Sequence, residues 1–301
     1  MLSFKPITLD DKEAITACTY PSCFMNCDFS FANMYSWRFL YDSEFAIVDG
    51  FLLICFRIEE KGRAHRAYMF PVGNGDLRHI IGVLEEDAHH HSHPLRILGV
   101  TPDQKDLLDE YFPAEFKYLP QRDFYDYIYL RSDLLELTGK KYQPKRNHIN
   151  RFMSRYAYTY LSITPELVPL CMELENKWYR DNRTEEDAED LKHERQSMAC
   201  ALERFGELDL LGGAICVDGE IIAFTYGSPI NRYTFGVHVE KADIRYDGVF
   251  SVINREFAAH LPEQFRYINR EEDLGLPGLR RSKLSYHPAI LLEKNMAVKR
   301  H

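Results

Sequence analysis

The stretch GAICVDGEIIAFTYG (213–227) places two apolar runs on either side of an Asp-Gly pair at 218–219. Such a pair between apolar runs is a strong signal for a β-hairpin, because both turn residues tolerate positive φ angles. The stretch FAIVDGFLLICF (45–56) has the same plan around an Asp-Gly pair at 49–50. The sequence therefore predicts two hairpins of one kind, one in each half of the chain.

The agreement between the two halves continues outward from the hairpins in the same order. After each hairpin come a strand, a helix and a further strand, and before each comes a strand that runs into a helix. The matched segments are RAYMFPVG (66–73) with RYTFGVHV (232–239), GDLRHIIGVL (75–84) with DGVFSVINREF (247–257), LRILGV (95–100) with FRYINR (265–270), and Tyr118–Pro120 with Tyr286–Pro288. Ordered matches at a nearly constant separation indicate an internal duplication.

Each copy predicts an α/β (α+β) arrangement, a mixed and mostly antiparallel sheet flanked by helices. This order of elements resembles the GCN5-related N-acetyltransferase (GNAT) fold, so we expect two acetyltransferase-like domains in tandem. We place the N-terminal domain at 1–138 and the C-terminal domain, which carries the candidate site, at 139–301.

Composition narrows the class of protein. The net charge of −9 argues against a general nucleic-acid binder, although a local basic patch is compatible with it. No apolar run reaches the roughly 18 residues of a membrane helix, and the N-terminus lacks the pattern of a signal peptide. We expect a cytoplasmic protein, with peripheral contact to a membrane left open. The histidines at 89–93 have no ligand spacing, so no metal site is predicted.

The segment GKKYQPKRNHINRFMSRY (139–156) contains six Lys or Arg residues and no acid. Its apolar residues recur at helical spacing, which predicts an amphipathic helix with Ile149, Phe152, Met153 and Tyr156 on one face. Two of its cations fall in the first turn, where the helix dipole disfavours positive charge. A nearby anion would explain them, and so would an ordinary solvated face. The candidate anion-binding residues are Lys145, Arg146, Asn147 and Arg151.

A second candidate precedes the helix in EKADIRYDGVFSVINREF (240–257). A loop that ends in glycine at a helix N-terminus offers backbone N–H groups to a phosphate. Arg245 to Gly248 match the first part of the phosphate loop of acetyltransferases. Phe250 stands where that motif has a small residue, which weakens the prediction of coenzyme A binding.

The tail segment INREEDLGLPGLRRSKLSYHP (268–288) contains both acidic and basic residues close together. Neighbouring carboxylates are expected to raise one another's pKa, so one of the three acids could act as a base or hold an ammonium group. Cations further along could bind phosphate, and a tyrosine could relay a proton. A surface salt-bridge network is the alternative. The candidate catalytic residues are Glu271, Glu272, Asp273, Lys283 and Tyr286, and Arg280 and Arg281 are candidate anion ligands.

Three of these segments, KRNHINRF (145–152), 240–257 and 268–288, resemble a bacterial family related to the C-terminal domain of the phosphatidylglycerol lysyltransferases. Residues 278–288 fit that family's tail pattern Gly-Leu-Arg-x-x-Lys-x-x-aromatic-x-Pro. The chain resembles the Fem-type peptidoglycan aminoacyltransferases more distantly. The resemblance implies a tandem acetyltransferase-like fold that moves an aminoacyl group from aminoacyl-tRNA to a lipid.

We therefore expect an acyltransferase that transfers an aminoacyl group from aminoacyl-tRNA to a lipid or to a small amine or hydroxyl acceptor. Two alternatives stay open at this point. One is an N-acyltransferase that uses acyl-coenzyme A as donor. The other is a non-catalytic module that binds tRNA or another anion, which would need the basic residues but not the acids.

Overall fold

The computed structural model describes residues 2–60, 62–182 and 188–300. Strands and helices alternate along the first part of the chain. In chain order they are β1 (Lys5–Pro6), α1 (Lys12–Thr19), α2 (Phe31–Tyr41), β2 (Glu44–Val48), β3 (Phe51–Glu60), β4 (Arg63–Met69), β5 (Val72–Gly73), α3 (Leu77–His90), β6 (Arg96–Val100), α4 (Pro102–Tyr111) and β7 (Phe116–Pro120).

The remaining elements follow a similar alternation and end in a short tail. They are β8 (Asp126–Leu130), α5 (Arg131–Glu136), α6 (Gln143–Arg155), β9 (Tyr158–Ser162), α7 (Val168–Asn182), α8 (Ala188–Glu203), β10 (Leu211–Val217), β11 (Glu220–Pro229), β12 (Thr234–Ala242), α9 (Val249–His260), β13 (Tyr267–Asn269), α10 (Pro277–Leu284), β14 (Ile290–Leu292) and β15 (Asn295–Lys299).

Two compact units divide the chain. The first comprises Met1–Tyr127, Glu271–Ser282 and Ile290–His301, and the second comprises Ile128–Arg270 and Lys283–Ala289. The tail is thus shared between the units. The predicted domain boundary between residues 138 and 139 refers to the internal duplication of the sequence, and it stays a prediction.

The first unit is built on a sheet with the strand order β1-β2-β3-β4-β6-β15-β7, with β5 paired to β3. Its strands are antiparallel except for β4 and β6. The last strand, β15, lies between β6 and β7, so the C-terminal residues complete this sheet. Buried residues of β3, α3 and β6, such as Leu53, Ile80 and Ile97, form its core.

The sheet of the second unit contains the run β8-β13-β12-β11-β10-β9. All neighbours in this run are antiparallel except β12 and β13. Ile149 and Phe152 of α6 pack with Ile215 of β10 and Val252 of α9 in one buried cluster. This core holds α6 and α9 in place, and both helices contribute to the site described below.

The structure confirms the predicted fold class of tandem acetyltransferase-like units, with mostly antiparallel sheets flanked by helices. Both hairpins form as expected, because the Asp-Gly pairs at 49–50 and 218–219 have positive φ at both positions, between 47° and 84°. Two details differ. Tyr118 lies in β7, whereas Tyr286 follows α10 outside any strand. Met153, expected on the apolar face of its helix, is exposed.

Among the described residues, no helix has both the length and the apolar character needed to cross a lipid bilayer.

Candidate functional site

A buried ion pair forms the centre of a polar cluster in the second unit. Arg270 follows β13 directly, and Glu240 lies on β12, beyond the last paired residues of the two strands. The Nη2 atom of Arg270 donates to Oε1 of Glu240 over 2.9 Å, and the two side chains are only 10% and 12% exposed. Since isolated charges are costly to bury, each group requires the other.

Two polar atoms of this cluster lack hydrogen-bond partners in the described part of the chain. They are Nη1 of Arg270 and Oδ1 of Asn254, a buried residue of α9. The amide nitrogen of Asn254 is 3.5 Å from Oε2 of Glu240. Buried donors and acceptors are nearly always paired in native proteins. An available donor and an available acceptor on two side chains that contact the same carboxylate suit a small polar ligand.

Lys145 of α6 joins the cluster through the ring of Tyr286. Its Nζ atom lies 3.7 Å from the ring centroid, and the guanidinium carbon of Arg270 lies 5.0 Å from the same centroid. Burial and the positive charge of Arg270 lower the pKa of Lys145 to about 8, and Glu240 only partly opposes them. Lys145 therefore gives up its proton more readily than an ordinary lysine.

The tail of the second unit, Lys283–Ala289, is held in place by three hydrogen bonds. The ammonium group of Lys283 donates to the backbone oxygen of Arg270, and the backbone oxygen of Lys283 accepts from the Tyr129 hydroxyl over 2.8 Å. The Tyr142 hydroxyl donates to the backbone oxygen of Tyr286 over 3.1 Å. Burial raises the pKa of the Tyr286 phenol, so it stays protonated at neutral pH.

The three consecutive acids of the tail diverge rather than share one site. Glu271 accepts from Asn33, Glu272 accepts from Lys294, and Asp273 points to a third set of partners. The expectation that they raise one another's pKa was wrong. Burial raises the pKa of Glu272 and Asp273, but their separate hydrogen-bond donors outweigh burial, and both lie below the ordinary value.

Asp273 is the fully buried centre of a network in the first unit. Its carboxylate accepts hydrogen bonds from Nε and Nη2 of Arg280 and, over 2.9 Å, from Arg122. It also accepts from the Tyr127 hydroxyl over 2.5 Å and from the backbone N–H of Gly275. A carboxylate held by so many donors is a weak base. This geometry favours a structural role for Asp273, while its predicted catalytic role stays untested.

Replacing Asp273 with asparagine should destabilise the fold, because both arginines lose their buried counter-charge. We expect the free energy of unfolding to fall by about 3–5 kcal/mol, the usual cost of breaking a buried ion pair on one side. Chemical denaturation measures this. Asp123→Asn is the matched control, since Asp123 is 58% exposed and bonds only one of the same arginines. Equal stability of the two variants would contradict this stabilising role of Asp273.

Glu272 belongs to a second buried network in the first unit, centred on Lys294. The Lys294 ammonium lies 2.7 Å from Asp28, 2.8 Å from Asp126 and 2.9 Å from Glu272. Burial and the other carboxylates raise the pKa of Asp126 to about 7, although Lys294 opposes them. Ligand atoms of Cys27, Asp28 and Glu272 lie within 4.8 Å of one another. Because Lys294 already bonds both carboxylates, its ammonium supplies the cation there.

Two of the predicted basic residues on α6 have partners that the sequence did not reveal. Arg146 donates to the backbone oxygens of Leu137 and Gly139, which explains how a cation is accommodated in the first turn. Arg151 forms an ion pair with Asp247 over 2.6 Å. The basic face of α6 is therefore partly neutralised within its own unit.

Residues of the predicted phosphate loop make contacts within their own unit. The Arg245 side chain bonds Asp243 through Nε and Nη2. Gly248 has φ +94°, and a Cβ atom there would meet the His148 backbone oxygen at 2.4 Å. The glycine is therefore required by the close packing of α6 on the loop, and the phosphate-binding role of Arg245 and Gly248 stays a prediction.

The other candidates are more peripheral. Asn147 accepts from Gln143 over 2.8 Å on the exposed face of α6, and Arg281 is exposed on α10. Lys145 and Lys283 belong to the second unit, whereas Arg280 and Arg281 belong to the first. The idea that all the cations border one cleft stays a prediction.

Sequence reasoning identified Lys145, Lys283 and Tyr286 but missed the polar residues that they surround. Glu240 lies within a strand and Arg270 directly after another, and a charged residue at such a position is the available signal for a buried charge. The sequence does not pair them, since they are far apart in the chain. Asn254 has no sequence signal at all, because an asparagine within a helix is usually a surface residue.

Two mixed α/β units in tandem, each with a mostly antiparallel sheet flanked by helices, define a protein of the acetyltransferase-like class of fold. The family described as phosphatidylglycerol lysyltransferase, C-terminal, matches residues 24–298. The chain belongs to this family, and it is thereby related to transferases.

Solved structures agree with this assignment. A conserved protein of unknown function from Bacteroides thetaiotaomicron is 50% identical over 100% of both chains, with a TM-score of 0.95. L-PGS from Bacillus licheniformis is 14% identical, with 99% of this chain and 94% of that chain covered and a TM-score of 0.66. FemX is 9% identical, with 98% and 97% covered and a TM-score of 0.63. The last two show likeness of fold. A comparison with curated proteins finds no match.

Proposed function

We propose that the second unit transfers an aminoacyl group from aminoacyl-tRNA to an amine or hydroxyl group of a lipid or small molecule. The observation that carries this proposal is the polar cluster around Glu240 and the Tyr286 ring, which contains Lys145, Arg270 and Asn254. Acyl transfer to such a nucleophile requires a base, a donor for the developing oxyanion and a group that positions the substrate. The cluster contains one candidate for each role.

Lys145 is the candidate base. With a pKa of about 8 it is partly neutral at physiological pH, and it can regain a proton within the same range. A general base works best when its pKa lies near the operating pH. The cause is local, because burial and the Arg270 charge both disfavour the ammonium form.

The reaction then follows one balanced path. The acceptor nitrogen or oxygen attacks the ester carbonyl carbon of the aminoacyl-tRNA, and its proton passes to the neutral Lys145 amine. The new C–N or C–O bond forms as the carbonyl oxygen becomes an oxyanion. When the intermediate collapses, the bond to the ribose oxygen breaks, and Lys145 returns the proton to that oxygen.

Arg270 and Asn254 are the candidate binding groups for this intermediate. The available Nη1–H of Arg270 suits the oxyanion, and Oδ1 of Asn254 suits an ammonium group of the amino acid. Both side chains are held by Glu240 before any ligand arrives. Preorganised donors stabilise a transition state because they need no rearrangement during the reaction. Lys283 and Tyr286 contribute by fixing the tail beside the cluster.

The loop at 245–248 supports aminoacyl-tRNA over acyl-coenzyme A as donor. Arg245 is engaged by Asp243, and the His148 oxygen packs against Gly248. A pyrophosphate that used the Arg245 side chain would have to displace its contact with Asp243. An aminoacyl ester requires no such loop.

The proposal is tested by offering the protein two donors in parallel. One is tRNA charged with labelled amino acids, and the other is labelled acetyl-coenzyme A, each with a panel of lipid and amine acceptors. We expect label to move only from tRNA. Transfer from acetyl-coenzyme A alone would support the other enzyme class. Tight tRNA binding without transfer to any acceptor would support the binding module.

The rate should depend on the protonation of Lys145. Because the neutral amine is the active form, kcat/KM should rise with pH through about 8 and then level off. Lys145→Met should lower kcat/KM by about 10²–10⁴-fold, the usual contribution of a general base, and should remove this midpoint. Lys141→Met, an exposed change close in the chain, is the control. A variant that keeps the same pH profile would show that another group titrates.

A further inference from the structure

A buried carboxyl group in the second unit has no hydrogen-bond partner among the described residues. Glu175 lies in α7, its side chain is only 1% exposed, and both of its carboxyl oxygens lack a donor. Buried polar atoms are nearly always paired in native proteins, so an unpaired carboxyl group requires an explanation. The charged neighbours of Glu175 are not those of the cluster around Arg270, so the proposed transfer reaction does not supply one.

Two positively charged groups face Glu175 from beyond hydrogen-bond range. Nε of Arg195, on α8, lies 3.9 Å from one carboxyl oxygen, and Nζ of Lys241, on β12, lies 3.9 Å from the other. Hydrogen bonds from nitrogen to oxygen span about 2.7–3.2 Å. The ammonium of Lys241 is engaged elsewhere, because it pairs with Glu194 over 2.9 Å and lies 3.6 Å from the centre of the Trp178 ring.

Arg195 has an unused donor at the atom that faces Glu175. Its Nε–H has no acceptor among the described residues, whereas its Nη2 donates to Oδ1 of Asn176. Its guanidinium carbon also lies 4.3 Å from the centre of the Tyr179 ring. These two contacts hold the guanidinium group of α8 against α7. A movement of about 1 Å would therefore bring Nε into hydrogen-bond range of the Glu175 carboxyl oxygen.

The gap between the two groups suits a neutral acid better than a carboxylate. A buried negative charge without hydrogen bonds is costly, whereas a protonated carboxyl group carries no net charge. A carboxylate gains most from a charged donor, since such hydrogen bonds are roughly twice as strong as neutral ones. We propose that protonation of Glu175 controls the contact between α7 and α8: the neutral acid leaves the Arg195 Nε–H apart, and the carboxylate draws it into a hydrogen bond.

The surroundings of the carboxyl group place this change near neutral pH. Burial raises the pKa of Glu175 to about 7, although Lys241 and Arg195 oppose it, and the carboxylate of Glu194 acts in the same direction as burial. An acid whose pKa is raised on folding holds its proton more tightly in the folded state than in the unfolded chain. The contribution of Glu175 to stability therefore falls as pH rises from about 4.5 to about 7 and then levels off.

Other charged groups on the elements packed around Glu175 have partners of their own. These pairs are Glu240 with Arg270, His238 with Ser228 and Lys177 with Asp243. The strand β11 also packs against α7, and its charged residue, Glu220, is exposed at its first position. Cys171, one turn earlier on α7, stays a neutral thiol at neutral pH, because burial raises its pKa to about 12.

Nuclear magnetic resonance of the full chain tests the proposal on the wild-type protein. The carboxyl carbon of Glu175 should titrate with a midpoint near pH 7. The Nε–H resonance of Arg195 should shift with the same midpoint, and its proton should exchange more slowly with water above that pH. Arg195→Lys, which keeps the charge but lacks this group, identifies the resonance. A carboxyl group that titrates while the Arg195 Nε–H stays unchanged would overturn the proposal, because water would then satisfy the carboxylate.

Glu175→Gln should keep the contact in its neutral form at every pH, so the shift of the Arg195 resonance should disappear. Between pH 4.5 and pH 8 the folding equilibrium constant of the wild type should fall by up to about 300-fold relative to this variant, which corresponds to the rise in pKa from 4.5 to about 7. Glu173→Gln, an exposed change on the same helix, is the control and should behave as the wild type. A resonance shift that persists in Glu175→Gln would show that another group titrates and would overturn the proposal. These measurements use no donor or acceptor substrate, so their outcome is independent of the proposed function.

Discussion

Replacing Arg270 with lysine is expected to lower kcat for aminoacyl transfer by about 10²–10³-fold, the usual effect of removing one oxyanion donor. Lysine keeps the positive charge beside Glu240, so the buried pair is retained. It cannot reproduce the second, available N–H group at the Nη1 position. The loss should therefore fall on kcat, with a smaller effect on KM, because the oxyanion exists only in the transition state.

The measurement is steady-state transfer of labelled amino acid from charged tRNA, with the thermal midpoint recorded on the same samples. Arg255→Lys is the matched control, because Arg255 pairs with Glu256 on α9 of the same unit. If Arg270→Lys retained most of the wild-type kcat at an unchanged thermal midpoint, the oxyanion would have to be bound elsewhere.

Replacing Lys294 with methionine is expected to lower the free energy of unfolding of the first unit by about 3–5 kcal/mol. Methionine fills a similar volume, but it leaves Asp28, Asp126 and Glu272 without their shared cation. At least two of these carboxylates are strongly buried, so their negative charge cannot be relieved by water. The carboxylates can compensate for the lost cation only by binding protons.

The destabilisation by Lys294→Met should depend on pH. The pKa of Asp126 is already raised to about 7, and removal of the ammonium raises it further. The same removal raises the pKa of Glu272, because Lys294 is what opposes the effect of burial there. The folded variant then binds more protons than the unfolded chain above about pH 4, so its stability falls as pH rises. Urea titrations at pH 5 and pH 8 should show the larger deficit at pH 8.

Lys5→Met is the control for this experiment, because Lys5 is 64% exposed and its pair with Asp11 is worth at most about 1 kcal/mol. If the loss of stability in Lys294→Met were the same at both pH values, the carboxylates would not be binding protons in place of the lost ammonium group.

The fold was predictable because its signals are local. An Asp-Gly pair between apolar runs specifies a hairpin within a few residues, and the α6 pattern specifies a helix in the same way. Repetition of the plan then indicated two units of one architecture. The strand β15 had no such signal, because its neighbours β6 and β7 are far away in sequence.

The candidate site was only partly predictable, because its chemistry depends on long-range partners. The sequence placed Lys145 on a basic helix, but the lowered pKa comes from burial beside Arg270. The tail acids were read as one cluster, whereas each carboxylate has its own donors. Charge type can be read from a sequence, but the partner that neutralises a charge is set by tertiary contacts.

The position of β15 has a consequence for biosynthesis. The strand that joins β6 to β7 follows the second unit in the chain, so the sheet of the first unit stays incomplete until the second unit has been made. Domains generally fold as they emerge, N-terminal portions first, but this one cannot be completed before the second unit has emerged. During translation it has exposed strand edges, which are sites for chaperone binding or misassociation. A truncated translation product would keep those edges permanently, so quality control could distinguish it from the finished protein.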